Sequence, residues 1–110
     1  MNRPFLNDFE ELLLTMVAAL GKNAYGAAIT VDIEKRLKRK VTLSAVHVIL
    51  YRLEDKGYVK SKVGGATNER GGRSKRIYTI TSAGIAVLRS MKETRTELWK
   101  LVPQLKITPL

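Results

Sequence analysis

Several residue types and patterns are absent from this sequence, and each absence excludes a class of protein. The 110 residues include no cysteine, which excludes a disulfide framework and any cysteine-based metal or redox site. No segment approaches the roughly 18 consecutive apolar residues that a membrane-spanning helix requires. Asp8, Glu10 and Glu11 interrupt the apolar residues near the N-terminus, which argues against a signal peptide. We therefore expect a cytoplasmic protein with no membrane partner.

The sequence also lacks the groups that catalysis needs. His47 is the only histidine, and alone it forms neither a metal site nor a catalytic dyad. No phosphate-binding loop, metal-spaced cluster or Ser/His/Asp set is present. Carboxylates occur as adjacent pairs, such as Glu10-Glu11 and Glu54-Asp55, expected to point to different helix faces or outward. We expect a protein that is not an enzyme and that binds no metal or cofactor.

The positive charge of the chain is concentrated in one segment. The formal net charge is +10. Residues 35–76 contain 13 Lys and Arg residues against 3 Asp and Glu residues, and the remaining residues carry 7 of each kind. A basic face that served only solubility would spread its cations, because clustered like charges repel one another. The placement of the charge favours a polyanionic partner.

Apolar spacing predicts two helices before this basic segment. Residues 7–20 carry one apolar stripe, with Asn7 and Glu10 as a capping box and Gly21 as the stop signal. Residues 25–38 carry isoleucine and leucine at four-residue spacing. The cations at the end of this second helix suit the negative end of the helix dipole.

A third helix, residues 42–57, has two contrasting faces. Thr42 is a favourable N-cap, and Gly57 ends the helix. The predicted core face consists of Val46, Ile49, Leu50 and Leu53. The opposite face carries Ser44, His47, Val48 and Tyr51. We expect Ser44, His47 and Val48 to contact the groove and Thr42 to contact phosphates, with an ordinary surface histidine as the less favoured alternative for His47.

Residues 58–80 are predicted to form a β-hairpin with a long basic loop. The connecting sequence GGATNERGG has four glycines in nine residues, which is too mobile for a core segment. Its glycines let the backbone approach a duplex closely, and arginine can enter a narrow minor groove. The expected contacts from this wing, residues 64–76, are Arg70, Arg73, Ser74, Lys75 and Arg76. A solvated hairpin tip is the alternative, but it does not explain why the tip is basic.

Thr81 and Ser82 can cap a last helix that extends to about Leu101. The spacing within this helix is that of a two-stranded coiled-coil seam, interrupted by Arg95. The helix could fold back on the first helix or pack on a second copy of the chain, and we favour the dimer. Trp99 is expected in the interface, or as a stacking surface for a flat ligand between subunits. The predicted interface is Phe9, Leu88, Met91, Arg95, Leu98, Trp99 and Val102.

Together these elements predict a mainly α fold with a small β-hairpin wing, within the α+β class. The expected organisation is a winged helix-turn-helix DNA-binding domain at residues 1–80 and a dimerisation helix at residues 81–102. Residues 103–110 are expected to be a loose tail. In such a domain one helix enters the major groove while the wing lies along the phosphates.

Three stretches resemble the PadR family of bacterial winged-helix transcriptional regulators: LLLTMVAALGKNAYGAAI, TLSAVHVILYRLEDKGYV and ERGGRSKRIYTITSAG. The single last helix is similar to that of the short PadR subfamily. The resemblance implies a homodimer that binds an inverted-repeat operator, usually as a repressor, and that can respond to a small-molecule effector. It also implies DNA contacts at Tyr25, Thr42, the wing and residues 44–48, which include Ala45. Ser44 and His47 replace the family's frequent glycine and tyrosine.

Two functions follow from these expectations. The first is a sequence-specific transcriptional regulator that binds double-stranded DNA. The second is a winged-helix adaptor that uses the same basic wing on RNA or on an acidic protein partner. For Tyr25 the residues leave two roles open, because its hydroxyl could reach a phosphate or its ring could cap the core.

Overall fold

Four α-helices and one β-hairpin form the described part of the chain, residues 6–64 and 75–103 of a computed structural model. The helices are α1 (Asp8–Leu20), α2 (Gly26–Leu37), α3 (Leu43–Asp55) and α4 (Ser82–Lys100), and the strands are β1 (Val59–Val63) and β2 (Arg76–Ile80). A short 3₁₀ turn at Gly21–Asn23 joins α1 to α2. This order confirms the predicted winged helix-turn-helix with a C-terminal helix.

Three of the helices begin at the polar residues that the sequence predicts. Asn7 and Glu10 form the complete capping box, with bonds of 2.8 and 3.0 Å between each side chain and the other's backbone N–H. The hydroxyl oxygens of Thr42 and Thr81 accept bonds from backbone N–H groups at the starts of α3 and α4. Each cap satisfies a donor that the helix leaves free, typically worth about 1 kcal/mol.

The core lies where α1, α2 and α3 meet the hairpin. Every residue of the predicted core face of α3 is buried, which confirms that this helix has one face in the core. The most completely buried large side chains are Leu6, Leu13, Leu14, Val17, Ile29, Ile33, Val46, Leu50, Leu53 and Tyr78. Burying a leucine or isoleucine side chain is worth about 1.5–3 kcal/mol, so this cluster holds the three helices together.

The hairpin is fastened to the helices through its backbone. β1 and β2 are antiparallel, and their register runs from Val59 opposite Ile80 to Val63 opposite Arg76. The N–H of Tyr78 donates to the carbonyl of Ala24 over 2.8 Å, which ties β2 to the 3₁₀ turn. The base of the wing therefore has a fixed position relative to the start of α2.

Glu10 is a buried carboxylate that the sequence did not predict. Glu10 and Glu11 do lie on different faces of α1, but Glu10 points inward and is only 2% exposed. Its Oε2 accepts a bond of 2.8 Å from Nζ of Lys56, which follows α3. Burial raises the pKa of Glu10, but the bond from Lys56, the N–H of Asn7 and the nearby positive charges outweigh it and lower that pKa. This ion pair joins the start of α1 to the end of α3.

Only the first half of α4 packs on the core. Gly84 and Val87 are buried, and a Cβ at Gly84 would clash with the backbone carbonyl oxygen of Tyr58, so only glycine fits there. Farther along, the Arg95 guanidinium makes two bonds, of 2.7 and 3.1 Å, to the Glu11 carboxylate on α1. The helix therefore does fold against α1, and every residue from 92 to 100 is exposed.

No single helix in the described part of the chain is long and apolar enough to cross a membrane. The first two helices pass that test only as a pair, and they meet at a bend of 118°. The predicted loose tail cannot be compared with the structure, because residues 104–110 lie outside the described residues.

Candidate nucleic-acid interface

The outward face of α3 is open to solvent at the positions expected to contact DNA. Ser44 and Ala45 are exposed near the start of the helix. Val48 is 51% exposed and Tyr51 is 53% exposed one and two turns farther along. Neither side chain is buried by the described part of the chain, so this face of α3 is accessible to a partner.

The start of α3 has the chemistry of an anion site. The Thr42 hydroxyl oxygen accepts a bond of 3.0 Å from the N–H of Ala45, and the Thr42 carbonyl accepts one of 3.1 Å from the N–H of Val46. The N–H groups of Leu43 and Ser44 precede these and make no bond within the described residues. The Thr42 hydroxyl can still donate its own hydrogen. These donors and the positive end of the helix dipole favour a phosphate.

His47 lies differently from what the helical wheel predicts. The wheel places it off the core face, but its ring is half-buried against Gly26. A Cβ added at Gly26 would lie 2.7 Å from Cε1 and 2.9 Å from Nε2 of the His47 ring. Its Nδ1 is buried and has no hydrogen-bond partner among the described residues. The ring also stacks on Tyr51, with centroids 6.0 Å apart and planes at 27°. His47 therefore packs α2 against α3, and a DNA contact from it stays a prediction.

Tyr25 and Lys75, 50 residues apart in the sequence, come together at the base of the wing. Nζ of Lys75 lies 4.4 Å from the centroid of the Tyr25 ring, within the range of a cation–π contact. The Lys75 carbonyl accepts a bond of 2.6 Å from the N–H of Gly64, which closes the described end of the hairpin. The Tyr25 side chain, which directly precedes α2, is thus half-buried under a wing cation.

Arg76 is held along the hairpin by a short polar network. Its Nη1 donates to Oγ of Ser61 over 3.0 Å, and that hydroxyl donates to Oε2 of Glu54 over 2.6 Å. This network links the wing to the last turn of α3, and nothing in the sequence pattern marks it. The other wing residues expected to contact DNA, Arg70, Arg73 and Ser74, lie outside the described residues.

Tyr78 belongs to the core and not to the exposed interface. Its side chain is completely buried, and its hydroxyl has no hydrogen-bond partner in the described part of the chain. Burial, with smaller contributions from Tyr51 and Glu54, raises the pKa of Tyr78 to about 12. The phenol is therefore uncharged at physiological pH.

The residues predicted for the dimer interface fall into two groups. Phe9, Leu88 and Met91 are partly buried against the core of their own chain, and Arg95 pairs with Glu11. The second group, Leu98, Trp99 and Val102, is exposed at the end of α4, and Trp99 is 74% exposed. A mostly apolar groove of about 690 Å³ runs between α4 and the start of α1, next to this second group. No group of three or more potential metal ligands occurs among the described residues.

One signal in the sequence does point to the packing of α2 on α3. Glycine is a poor helix former, yet Gly26 stands in the first turn of α2, directly after Tyr25. Glycine at such a place often marks a close approach by another group. The Tyr25–Lys75 contact has no such signal, because its partners lie on separate elements.

Comparison with known proteins relates this architecture to a family of regulators. The model of the transcriptional regulator PadR-like family matches residues 13–90. A PadR family transcription regulator from Clostridium difficile is 25% identical, with a TM-score of 0.66, and the match covers 87% of this chain and 96% of that one. A PadR-like transcriptional regulator from Bacillus cereus is 18% identical, with a TM-score of 0.69 and coverages of 92% and 93%.

A third solved structure, Bacillus subtilis PadR in complex with operator DNA, has a TM-score of 0.62 at 19% identity. The match covers 93% of this chain and 51% of that one. No curated protein sequence matches the chain. The PadR-like family consists of transcriptional regulators and not of enzymes. The family model matches well over half of the residues of this chain, which therefore belongs to the PadR-like family of transcriptional regulators.

Proposed function

We propose that this regulator is a homodimeric repressor that binds an inverted-repeat operator. In this proposal α3 enters the major groove, and the basic wing lies on the backbone or in the minor groove. The observation that carries it is a continuous set of contacts from the wing to α3. Lys75 covers Tyr25, Gly26 follows Tyr25, and His47 packs on Gly26 and stacks on Tyr51. A duplex against the outward face of α3 would therefore also meet the base of the wing.

The chemistry of this surface suits duplex DNA. Thr42 and the free N–H groups beside it would hold a phosphate, while Ser44, Ala45 and Val48 would face base edges, with Val48 suited to a thymine methyl. His47 would adjoin them through the part of its ring that Gly26 does not cover. The wing would add phosphate or minor-groove contacts from Arg70, Arg73, Ser74, Lys75 and Arg76. The Bacillus subtilis complex supports this mode, because a protein of the same fold was solved on operator DNA.

The dimer would join through the far half of α4. Leu98 is 58% exposed, Trp99 and Val102 lie beside it, and the apolar groove adjoins them. Large apolar side chains grouped in this way are typical of a protein–protein interface. A two-fold axis there would set two copies of α3 about 34 Å apart, one turn of DNA, which matches an inverted repeat.

Selection of bound sequences from a random duplex pool, at about 0.15 M salt, tests the proposal. The expected result is a two-fold-symmetric motif with half-site centres about 10 base pairs apart. The selected duplex should then be compared with a scrambled duplex and with a hairpin RNA of equal length. Equal affinity for all three would contradict sequence reading and would favour the adaptor function.

The wing has its own test on the selected duplex. Arg73→Ala with Arg76→Ala should weaken binding to all sequences and flatten the dependence on salt by about 0.9 log units for each phosphate that the variant no longer neutralises. The control is Arg89→Ala with Lys92→Ala, which removes the same charge from exposed positions on α4. An unchanged salt dependence in the wing variant would exclude the wing from the interface.

A further inference from the structure

A second group of cations precedes α3. Lys35, Arg36, Lys38, Arg39 and Lys40 are five basic residues within six positions, and together they form what is called here the basic turn. All five are exposed. Among the described residues only Arg36 has a partner in an ion pair, through a bond of 2.8 Å to Asp32. The remaining four charges are directed to solvent.

The helix dipole explains only part of this group. Cations are favoured within the last turn of a helix, and Lys35 and Arg36 lie there in α2. Lys38 is the C-cap, and Arg39 and Lys40 lie beyond it. Side chains at these three positions make no hydrogen bond to a backbone carbonyl in the described part of the chain. Because adjacent like charges repel one another, three further cations here lack a structural explanation.

The backbone at Lys38 is an independent sign. Lys38 has φ 53° and ψ 37°, and it is the one non-glycine residue with positive φ in the described ranges. Helices that end in this left-handed conformation usually have glycine there, because a Cβ is disfavoured. A strained residue that carries a charge is a pointer to function.

The basic turn is also close to the proposed DNA-binding face. Thr42, the N-cap of α3, follows Lys40 by two residues, so their Cα atoms are at most about 8 Å apart. The start of α3 is where the proposed function brings the duplex, and lysine and arginine side chains are long enough to reach phosphates beside the groove.

From these observations we propose that the basic turn is an additional phosphate-binding surface, which contacts the operator backbone next to the start of α3. This inference rests on the proposed function and extends its footprint beyond α3 and the wing. The contacts fix the protein on the duplex without reading sequence, because phosphates are the same at every base pair.

Two double variants of equal charge test this surface. Lys38→Gln with Arg39→Gln removes one lysine and one arginine from the basic turn. Arg89→Gln with Lys92→Gln removes the same two residue types from exposed positions on α4. The dissociation constant of each variant for the selected duplex is measured between about 0.05 and 0.2 M salt, after sedimentation confirms the same oligomeric state.

The basic-turn variant should lower the salt slope by about 1.8, which corresponds to about 30-fold weaker binding at 0.15 M salt when counterion release supplies the whole effect. The α4 variant should keep the slope of the unmodified protein. Because both variants lose two charges, a difference between them reports a local contact and not net charge. Equal slopes in all three proteins would overturn the inference.

Lys38→Gly gives a second readout that a purely structural role would not give. Glycine relieves the left-handed strain at position 38, so the Tm should rise. Binding to DNA should weaken, and the slope of its salt dependence should fall by about 0.9. Unchanged binding in this variant would remove Lys38 from the surface. If the unmodified protein does not prefer its selected duplex, both proposals fail. If the unmodified protein does prefer that duplex and the salt slopes of the three proteins are equal, only the basic turn is excluded.

Discussion

Gly26 and His47 should be energetically coupled, because they meet where α2 begins beside α3. A Cβ on Gly26 would lie 2.7 Å from Cε1 of His47, and real Cβ atoms essentially never come closer than 3.0 Å to another atom. Gly26→Ala must therefore displace the imidazole. The ring is not free to move without loss, since its Nδ1 side is buried and its face stacks on Tyr51.

Two opposing effects set the size of the change. Inserting a methyl group into a packed site costs about 1–3 kcal/mol. Alanine is better than glycine within a helix by up to about 1 kcal/mol. Gly26→Ala should therefore lower the free energy of unfolding by about 1–2 kcal/mol when His47 is present. In a His47→Ala background the clash is absent. Gly26→Ala should then raise the free energy of unfolding by up to about 1 kcal/mol.

Urea unfolding of the unmodified protein, both single variants and the double variant measures this coupling energy. All four should be unfolded at one protein concentration, because association would contribute to stability. The expected coupling is about 1–3 kcal/mol, with a change of sign between the two backgrounds. If Gly26→Ala shifts the midpoint equally in both backgrounds, His47 does not pack on α2 as described.

Three further predictions concern the core, pH and assembly. Tyr78→Phe should leave the free energy of unfolding unchanged or raise it by up to about 1–3 kcal/mol, because it removes a buried hydroxyl without a partner, and a clear loss in urea unfolding would contradict this. The pKa of Glu10 is lowered by folding, so its stabilisation is complete above its ordinary value of 4.5 and is lost as pH falls through the folded value. The stability difference between the unmodified protein and Glu10→Gln should therefore be smaller at about pH 3.5 than at about pH 7, and an equal difference would refute the ion pair's role. Leu98→Asp should yield monomers in sedimentation, because it would bury a charge in the proposed dimer interface. Thr96→Asp, at an exposed position outside that interface, should leave the oligomeric state unchanged.

Local signals in the sequence predicted much of the fold. Thr42 and Thr81 begin their helices as expected, and the core face of α3 is buried at all its predicted positions. These features depend on residues within about two helical turns of each other, so one stretch of sequence contains the whole signal. The exposed positions Ser44 and Val48 follow from the same periodicity.

Contacts between distant residues could not be predicted in this way. Glu10 pairs with Lys56 across 46 positions, and its burial depends on how α1 crosses the end of α3. The helical wheel puts His47 on the outer face by its angle, but a wheel describes one helix and not its neighbour. The absence of a side chain at Gly26 lets α2 come close enough to cover part of the ring.

Attachment of a DNA-cleaving iron chelate to a single cysteine tests most directly whether α3 enters the groove. The chain has no cysteine, so Ser44→Cys creates one attachment site per protomer at the start of α3. Glu93→Cys, exposed on α4, is the control. Cuts from position 44 should cluster at two half-sites about one helical turn apart, with none from position 93. Cuts from position 44 that are spread evenly along the duplex, or that are no stronger than those from position 93, would contradict the entry of α3 into the groove.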